Sequence, residues 1–389
     1  MVVLCNVDLA QKWGDYTRVF SLMKAFSARG HHVTILVIRP ERKKPTISFF
    51  HDQSLDVYEI HPPSFSPFNG KRGIGKYVNY LLCLPGIEKT VSKIMDENKI
   101  DYVYSYMPGI GSSLPAMRIK SKFKIKHILD FADFHIFVRP KNLANKSFKN
   151  ADKIVAITSY LKDYLVARNI EENKIHIIPN GVDLELFNSS KFDNDIIIKL
   201  RDSFKAKKLV IFAGALQDLD IVIKSAKKVI DAIPDVKYVI IGDHRDPNRT
   251  KEIWEHKVGK TGLGKYFTFL GRKPRAEIPQ YLLCADVCID SFPNEPYYAA
   301  AHPIKLLEYG ACAKPVVATK VAETEKIIKH GVFGYLANPN NSEEYSKYLI
   351  KLLNDPNLCK KMGEEFQKYI QDNFDWNKLA LQLESILKE

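Results

Sequence analysis

The stretch Pro303-Ile304-Lys305-Leu306-Leu307-Glu308-Tyr309-Gly310 sets a base and an acid three residues apart just behind a proline. Proline is favoured at the first position of a helix, so Lys305 falls in the first turn, where the helix dipole disfavours a cation. A positive charge set against the dipole points to an anion nearby. The amides of the helix start and the Lys305 ammonium can together hold a pyrophosphate. Glu308, one turn on and facing the same side, can accept hydrogen bonds from ribose hydroxyls. The same two residues also read as an ordinary exposed i,i+3 ion pair.

Three further places carry residue types suited to chemistry. Gly14 follows the first apolar run, in a loop where a missing side chain lets backbone approach a phosphate or sugar, or simply makes a turn. Ile125 to Asp130 ends in Phe131-Ala132-Asp133-Phe134-His135. That puts Asp133 and His135 at the carboxyl edge of a strand, where open α/β sheets bind ligands and where loops also form plain hydrogen bonds. Asp218-Leu219-Asp220 invites a metal. Two short acids ahead of the apolar Ile221-Val222-Ile223 are better explained as the cap of a helix.

These positions need a scaffold of alternating strands and helices. Val2 to Val7 is short, apolar and β-branched, as a buried parallel strand requires, and it is followed by the helical pattern Val19, Phe20, Leu22, Met23, Phe26, closed by Gly30. A second strand runs from His32 to Ile38. Further strands are expected near 56–60, 101–106, 125–131, 153–157 and 175–178, and then, after the polar stretch 188–195, at 208–213, 236–241, 267–270, 287–289 and 315–318. The last forty-odd residues read as helices from Ser342, Leu358 and Trp376. The pattern predicts an α/β fold of two tandem Rossmann-like domains facing across a cleft. The expected divisions are 1–187, 188–370 and a C-terminal helix at 371–389 that packs back on the first domain.

With 389 residues, 46% apolar and 26% charged, the chain is too long for one small module and has ordinary globular usage. No apolar run reaches the roughly 18 residues of a spanning helix, and the start lacks the charged region of a signal peptide. Six cysteines without a Cys-x-x-Cys argue for buried thiols in a reducing cytosol rather than disulfides or zinc. Residues 1–190 hold 27 basic and 18 acidic side chains, so the net charge of +13 is concentrated in the first half. That asymmetry suits an anionic partner, nucleic acid or membrane headgroups, and no nucleic-acid module accompanies it. The densest cluster, Arg118, Lys120, Lys122, Lys124 and Lys126, reads as the solvated flank of a loop and edge strand. Arg39 to Gly75 reads as irregular, with Phe49, Phe50, Phe65 and Phe68 among bases, as at a membrane interface or in a loop packed on its own domain.

Ala151-Asp152-Lys153-Ile154-Val155-Ala156-Ile157-Thr158-Ser159, then Ile175-His176-Ile177-Ile178-Pro179-Asn180-Gly181-Val182-Asp183 and Leu186-Phe187, followed by Phe212-Ala213-Gly214, Val239-Ile240-Ile241-Gly242-Asp243, Phe269-Leu270-Gly271-Arg272 and the Pro303 to Thr319 segment, closely resemble the retaining nucleotide-sugar glycosyltransferases of family 4 over essentially the whole chain. The resemblance implies the GT-B fold and a sugar moved from a nucleotide-sugar donor to a lipid-linked, polysaccharide or other glycan acceptor, at the inner face of a membrane with an anionic surface. It implies Asp133 and His135 against the transferred sugar, with Gly14, Gly214, Arg272, Lys305 and Glu308 on the donor side. No cofactor or metal is expected, and nucleic acid is not expected as a partner. Alternatives within reach of the same resemblance are a nucleotide-sugar 2-epimerase and a catalytically silent nucleotide-sugar-binding protein. Two departures stand out. Ala300 occupies the place of a frequent family Glu, and Gly214-Ala215-Leu216-Gln217-Asp218 lacks the usual diphosphate Arg and Lys, for which Arg272 or Arg18 are substitutes.

Overall fold

The computed structural model describes all residues except 11–13, 69–72, 98–99, 135–140, 217, 245, 247–249 and 296–297, and the backbone alone at 141 and 322. The chain divides into two compact units, Met1–Asn180 with Trp376–Glu389, and Gly181–Asp375. Strands in chain order are β1 (Val2–Cys5), β2 (Thr34–Ile38), β3 (Ile47–Asp52), β4 (Leu55–Ile60), β5 (Tyr102–Tyr106), β6 (Lys126–Phe131), β7 (Lys153–Ala156), β8 (Ile175–Ile177), β9 (Lys208–Ala213), β10 (Val236–Ile241), β11 (Phe267–Gly271), β12 (Val287–Ile289), β13 (Val316–Thr319) and β14 (Gly334–Ala337). The helices are α1 (Gly14–Ser27), α2 (Gly73–Leu82), α3 (Leu84–Glu97), α4 (Ser113–Phe123), α5 (Lys141–Asn150), α6 (Ser159–Val166), α7 (Asn194–Ser203), α8 (Asp220–Ala232), α9 (Lys251–Gly259), α10 (Ile278–Cys284), α11 (Ile304–Ala311), α12 (Ala322–Ile327), α13 (Ser342–Leu353), α14 (Pro356–Asn373) and α15 (Trp376–Lys388).

The first unit holds an eight-stranded sheet in the order β3-β4-β2-β1-β5-β6-β7-β8, parallel except at β3. The second holds six strands in the order β11-β10-β9-β12-β13-β14, and every pair is parallel. Parallel strands covered by helices on both faces are buried on both faces, which is why Val2-Val3-Leu4-Cys5 and Leu209 to Ala213 are continuous apolar runs.

β4 is the strand expected near 56–60, but β3, with which it forms a hairpin, falls inside the stretch from Arg39 to Gly75 read as irregular. The hairpin turn is built from Gln53 (φ 52°) and Ser54 (φ 66°), residues that do not announce a two-residue hairpin as Asn-Gly does. The basic cluster also lies elsewhere than expected. Arg118, Lys120 and Lys122 stand on α4, Lys124 ends it in a left-handed conformation, and Lys126 opens β6, an interior strand.

The chain passes from the first unit to the second at Asn180–Gly181, because Val182 and Phe187 are buried with Ile370 and Phe374 in the second core. Val182 N–H donates to Phe374 O at 2.8 Å, so the outgoing and returning strands of chain lie side by side. Beyond that point α15 packs on α1, tied by Arg29 to Glu384 and by the Tyr102 hydroxyl donating to Leu387 O at 2.7 Å.

Candidate functional site

The carboxyl ends of β9, β10 and β12 bring together Gly214, Gly242, Asp290 and the start of α11. Gly214 N–H donates to Ile241 O at 2.9 Å and Gly242 N–H to Gly271 O at 2.8 Å, which locks the strand ends together. Gly242 has φ +135°, and a Cβ there would stand 1.8 Å from Gly214 O, so this edge tolerates no side chain and leaves bare backbone. Over Gly214 lies the aliphatic stem of Lys305; a Cβ on Gly214 would meet its Cδ at 3.3 Å.

Helix α11 is capped by Pro303, which is the residue before the first turn rather than its first member, and Lys305 is the second helical residue. The anion that the sequence demands near Lys305 is Asp290. Lys305 Nζ donates to Asp290 Oδ1 at 2.7 Å and sits 4.4 and 4.5 Å from the centroids of Phe212 and Phe292, so the ammonium is boxed by one carboxylate and two ring faces. Asp290 is fully buried just after β12. Its Oδ1 also accepts the Ser291 N–H, and its Oδ2 has no hydrogen-bond partner among the described residues. Sequence reasoning missed Asp290; the signal was an acid directly after the apolar strand Val287-Cys288-Ile289, at the ligand-binding edge of the sheet.

Glu308, one turn along α11, is buried and ion-paired to Arg275 at 2.8 Å. Burial raises its carboxyl above the ordinary value, against the pull of Arg275 and Lys305. Arg275 lies in the short turn after β11, and Arg272 is exposed just past the carboxyl end of that strand. Tyr309 anchors the helix beneath: its hydroxyl accepts from Ala213 N and donates toward Ala213 O and Ile289 O. Ala300 is fully buried in the turn Tyr298–Ala300.

Asp218 and Asp220 are committed to the fold. Asp218 Oδ1 accepts the Asp220 N–H at 2.7 Å at the start of α8, and Asp220 pairs with Lys257. Among the described residues no group of three or more His, Cys, Asp or Glu could hold a metal ion.

In the first unit Gly14 is the first residue of α1 rather than part of a loop. Arg18 is not a spare cation. It is buried and pairs bidentately with Asp130, through Nε at 2.9 Å and Nη2 at 2.8 Å, and also donates to Ile178 O, Pro179 O and Asn180 Oδ1. Asp133 follows β6, half-buried, and its charge, with those of Asp15 and Asp130, helps raise the Tyr106 hydroxyl, which burial raises most. His135 lies outside the described residues.

Comparison with known proteins agrees with this fold. A family model described as Glycosyltransferase Family 4 matches residues 16–186, and one described as Glycosyl transferases group 1 matches residues 193–369. An uncharacterised glycosyltransferase of Methanocaldococcus jannaschii is 26% identical, over 72% of this chain and 66% of its own length. A D-inositol 3-phosphate glycosyltransferase of Corynebacterium glutamicum is 26% identical over 62% of this chain and 58% of that protein. Among solved structures, HepE of Anabaena in complex with UDP superposes with a TM-score of 0.73 at 16% identity, covering 100% of this chain and 99% of that one. Sucrose-phosphate synthase of Thermosynechococcus elongatus gives 0.76 at 19% identity, covering 100% and 98%. Two Rossmann-like sheets in this order, with these superpositions, are the GT-B fold, and the chain belongs to the family 4 glycosyltransferases.

Proposed function

We propose that the chain transfers a sugar from a nucleotide-sugar donor, with retention at the anomeric carbon and without a metal, to a lipid-linked, polysaccharide or other glycan acceptor at an anionic membrane surface. The observation that carries the reading is the group at the carboxyl edge of the second sheet: bare backbone at Gly214 and Gly242, the Lys305 ammonium over it, and the Glu308–Arg275 pair one turn away. When the bond from the anomeric carbon to the diphosphate oxygen breaks, negative charge grows on the leaving group. Lys305 and the first amides of α11 are the groups suited to receive it. Glu308 takes the ribose hydroxyls. Asp133 and His135 are assigned to the transferred sugar. Solved neighbours carry UDP or UDP-glucose, which supports UDP-sugars as first probes.

The test is thermal stabilisation by a panel of nucleotide sugars, followed by mass and NMR analysis of products with glycan and lipid-linked acceptors in excess EDTA. Transfer with retained configuration supports the reading. Epimerised donor without transfer would replace it by an epimerase, and binding without turnover by a silent binding protein.

A further inference from the structure

At the carboxyl ends of β6 and β7, adjacent strands of the first sheet, five aromatic rings run from core to solvent. Phe131 closes β6 and meets Phe148 of α5 with ring centroids 5.0 Å apart, both side chains buried. Tyr164 of α6 comes next, 6.0 Å from Phe131, and Phe134 stands edge-on to it at 5.0 Å; both are half-buried. Phe134 is also edge-on, at 6.1 Å, to Tyr160, which lies one helical turn before Tyr164 on the same face of α6. The inner rings fill the core. Tyr160 does not: it is 37% exposed in the first turn of α6, and Phe134 is its ring partner among the described residues.

The exposed ring sits on fixed backbone. The Thr158 hydroxyl caps α6 by accepting the Leu161 N–H at 3.2 Å, which holds the turn that carries Tyr160. Tyr164 is engaged already: the Arg168 guanidinium lies 3.4 Å from its ring centroid and donates to its carbonyl at 3.1 Å. The charge at this edge of the sheet is negative. Asp133 directly precedes Phe134. At the end of β5, on the other side of β6, the Tyr106 hydroxyl is raised by burial first and then by the carboxylates of Asp15, Asp130 and Asp133, with Arg18 opposing. Arg18 is committed to Asp130, which leaves two carboxylates against no cation among those groups.

We propose that Tyr160, backed by Phe134, is the stacking platform for a neutral pyranose ring of the acceptor. The carboxyl edge of a parallel sheet is where a ligand docks, and an aromatic ring with a few polar neighbours is the usual wall of such a site. One face of a pyranose such as glucose is lined with axial C–H bonds, whose slightly positive hydrogens match the negative face of an aromatic ring. Its equatorial hydroxyls project sideways, where a carboxylate accepts hydrogen bonds and repels no charge. A phosphate brought to the same edge would face the charges of Asp15 and Asp133 instead, so the acceptor's end here is sugar and uncharged. The proposal rests on the reading of a glycan acceptor, and its test uses no donor, so either can fail alone.

The experiment is saturation-transfer difference NMR of the full chain with methyl β-glucoside, methyl β-galactoside and methyl α-mannoside, irradiating the aromatic protons of the protein. Saturation should reach the axial C–H protons on one face of at least one glycoside, and its titration gives a dissociation constant. Tyr160→Leu, which keeps an apolar side chain without a ring, should weaken binding roughly two- to tenfold and remove most of the transfer. Tyr160→Trp should keep both. Tyr77→Leu, at a tyrosine of similar exposure on α2, should change neither. Circular dichroism and an unchanged melting curve confirm that each variant is folded. No transfer to any of the three glycosides, equal binding by Tyr160→Leu, or saturation spread evenly over both faces of the sugar would overturn the proposal. So would displacement of the glycoside by uridine in the parent but not in Tyr160→Leu, which would assign the ring to a nucleobase.

Discussion

Replacing Asp290 by Asn removes the charge but not the shape of the group that holds Lys305. The pair is 2.7 Å apart with side-chain exposures of 10% and 1%, so solvent screens it little. At an effective dielectric constant of about 20 the attraction is roughly 6 kcal/mol before desolvation, and removal of one partner of a buried pair costs about 3–5 kcal/mol. The Ser291 N–H still finds Oδ1 in Asn, and the two rings still face the ammonium, which puts Asp290→Asn at the lower end, about 3 kcal/mol. Lys305→Met leaves a carboxylate buried without its cation and should cost at least as much. The double variant buries neither charge, so the two losses should not add, and the coupling should be about 3 kcal/mol. In thermal unfolding that is a fall of roughly 6–12 °C for each single variant and much less for the pair. Activity should behave differently. Lys305→Met should lower transfer ten- to a hundredfold whether or not Asp290 is also changed, because the diphosphate has lost its cation. Coupling below about 0.5 kcal/mol, or a double variant that regains transfer together with its fold, would refute the assignment.

Three further outcomes follow from the same structure. Burial raises the Glu308 carboxyl above 4.5, so the stability it contributes is complete below that pH and is lost as pH rises through the folded value; the melting temperature of Glu308→Gln relative to the parent should therefore increase from about pH 4 to pH 7, and a decrease would contradict the sign. Gly242→Ala should destabilise the second unit by more than about 3 kcal/mol in urea unfolding, because its Cβ would overlap Gly214 O, whereas Gly30→Ala, at φ +92° with open space around it, should cost only about 1 kcal/mol. Transfer in excess EDTA should match transfer without it, and a loss restored by magnesium or manganese would return Asp218 and Asp220 to consideration.

The strand–helix alternation was legible because buried parallel strands leave continuous apolar runs; β1, β2 and β9 show it plainly. β3 was hidden because it is antiparallel at an edge, half-exposed, and turns on Gln53 and Ser54. β14 was hidden because its four residues open with a glycine. On the site, Lys305 could be singled out by a local rule, a cation in the first turn of a helix. The pairings of Lys305 with Asp290 and of Glu308 with Arg275 could not, since the partners lie 15 and 33 residues apart in sequence and meet only through the sheet. The bases of α4 misled for the same reason. Sequence counts charges, but Glu88 and Asp152, which pair with three of them, come from other elements.

Hydrogen-bond capacity separates the two buried cations that sequence alone leaves as candidates for a diphosphate. Arg18 carries five N–H groups, and its contacts with Asp130, Ile178, Pro179 and Asn180 engage all five. An anion arriving there would have to break as many bonds as it made, so these contacts commit Arg18 to fixing the segment leading out of β8. Lys305 carries three donors, of which one is given to Asp290 and the others face aromatic rings among the described residues. Its counter-ion also keeps an oxygen, Oδ2, without a partner among those residues. A cation with donors in reserve, beside bare glycine backbone at the edge of a parallel sheet, can accept a second anion without giving up the first. That reserve of donors, rather than charge alone, is why Lys305 and not Arg18 is the residue we propose for the donor diphosphate.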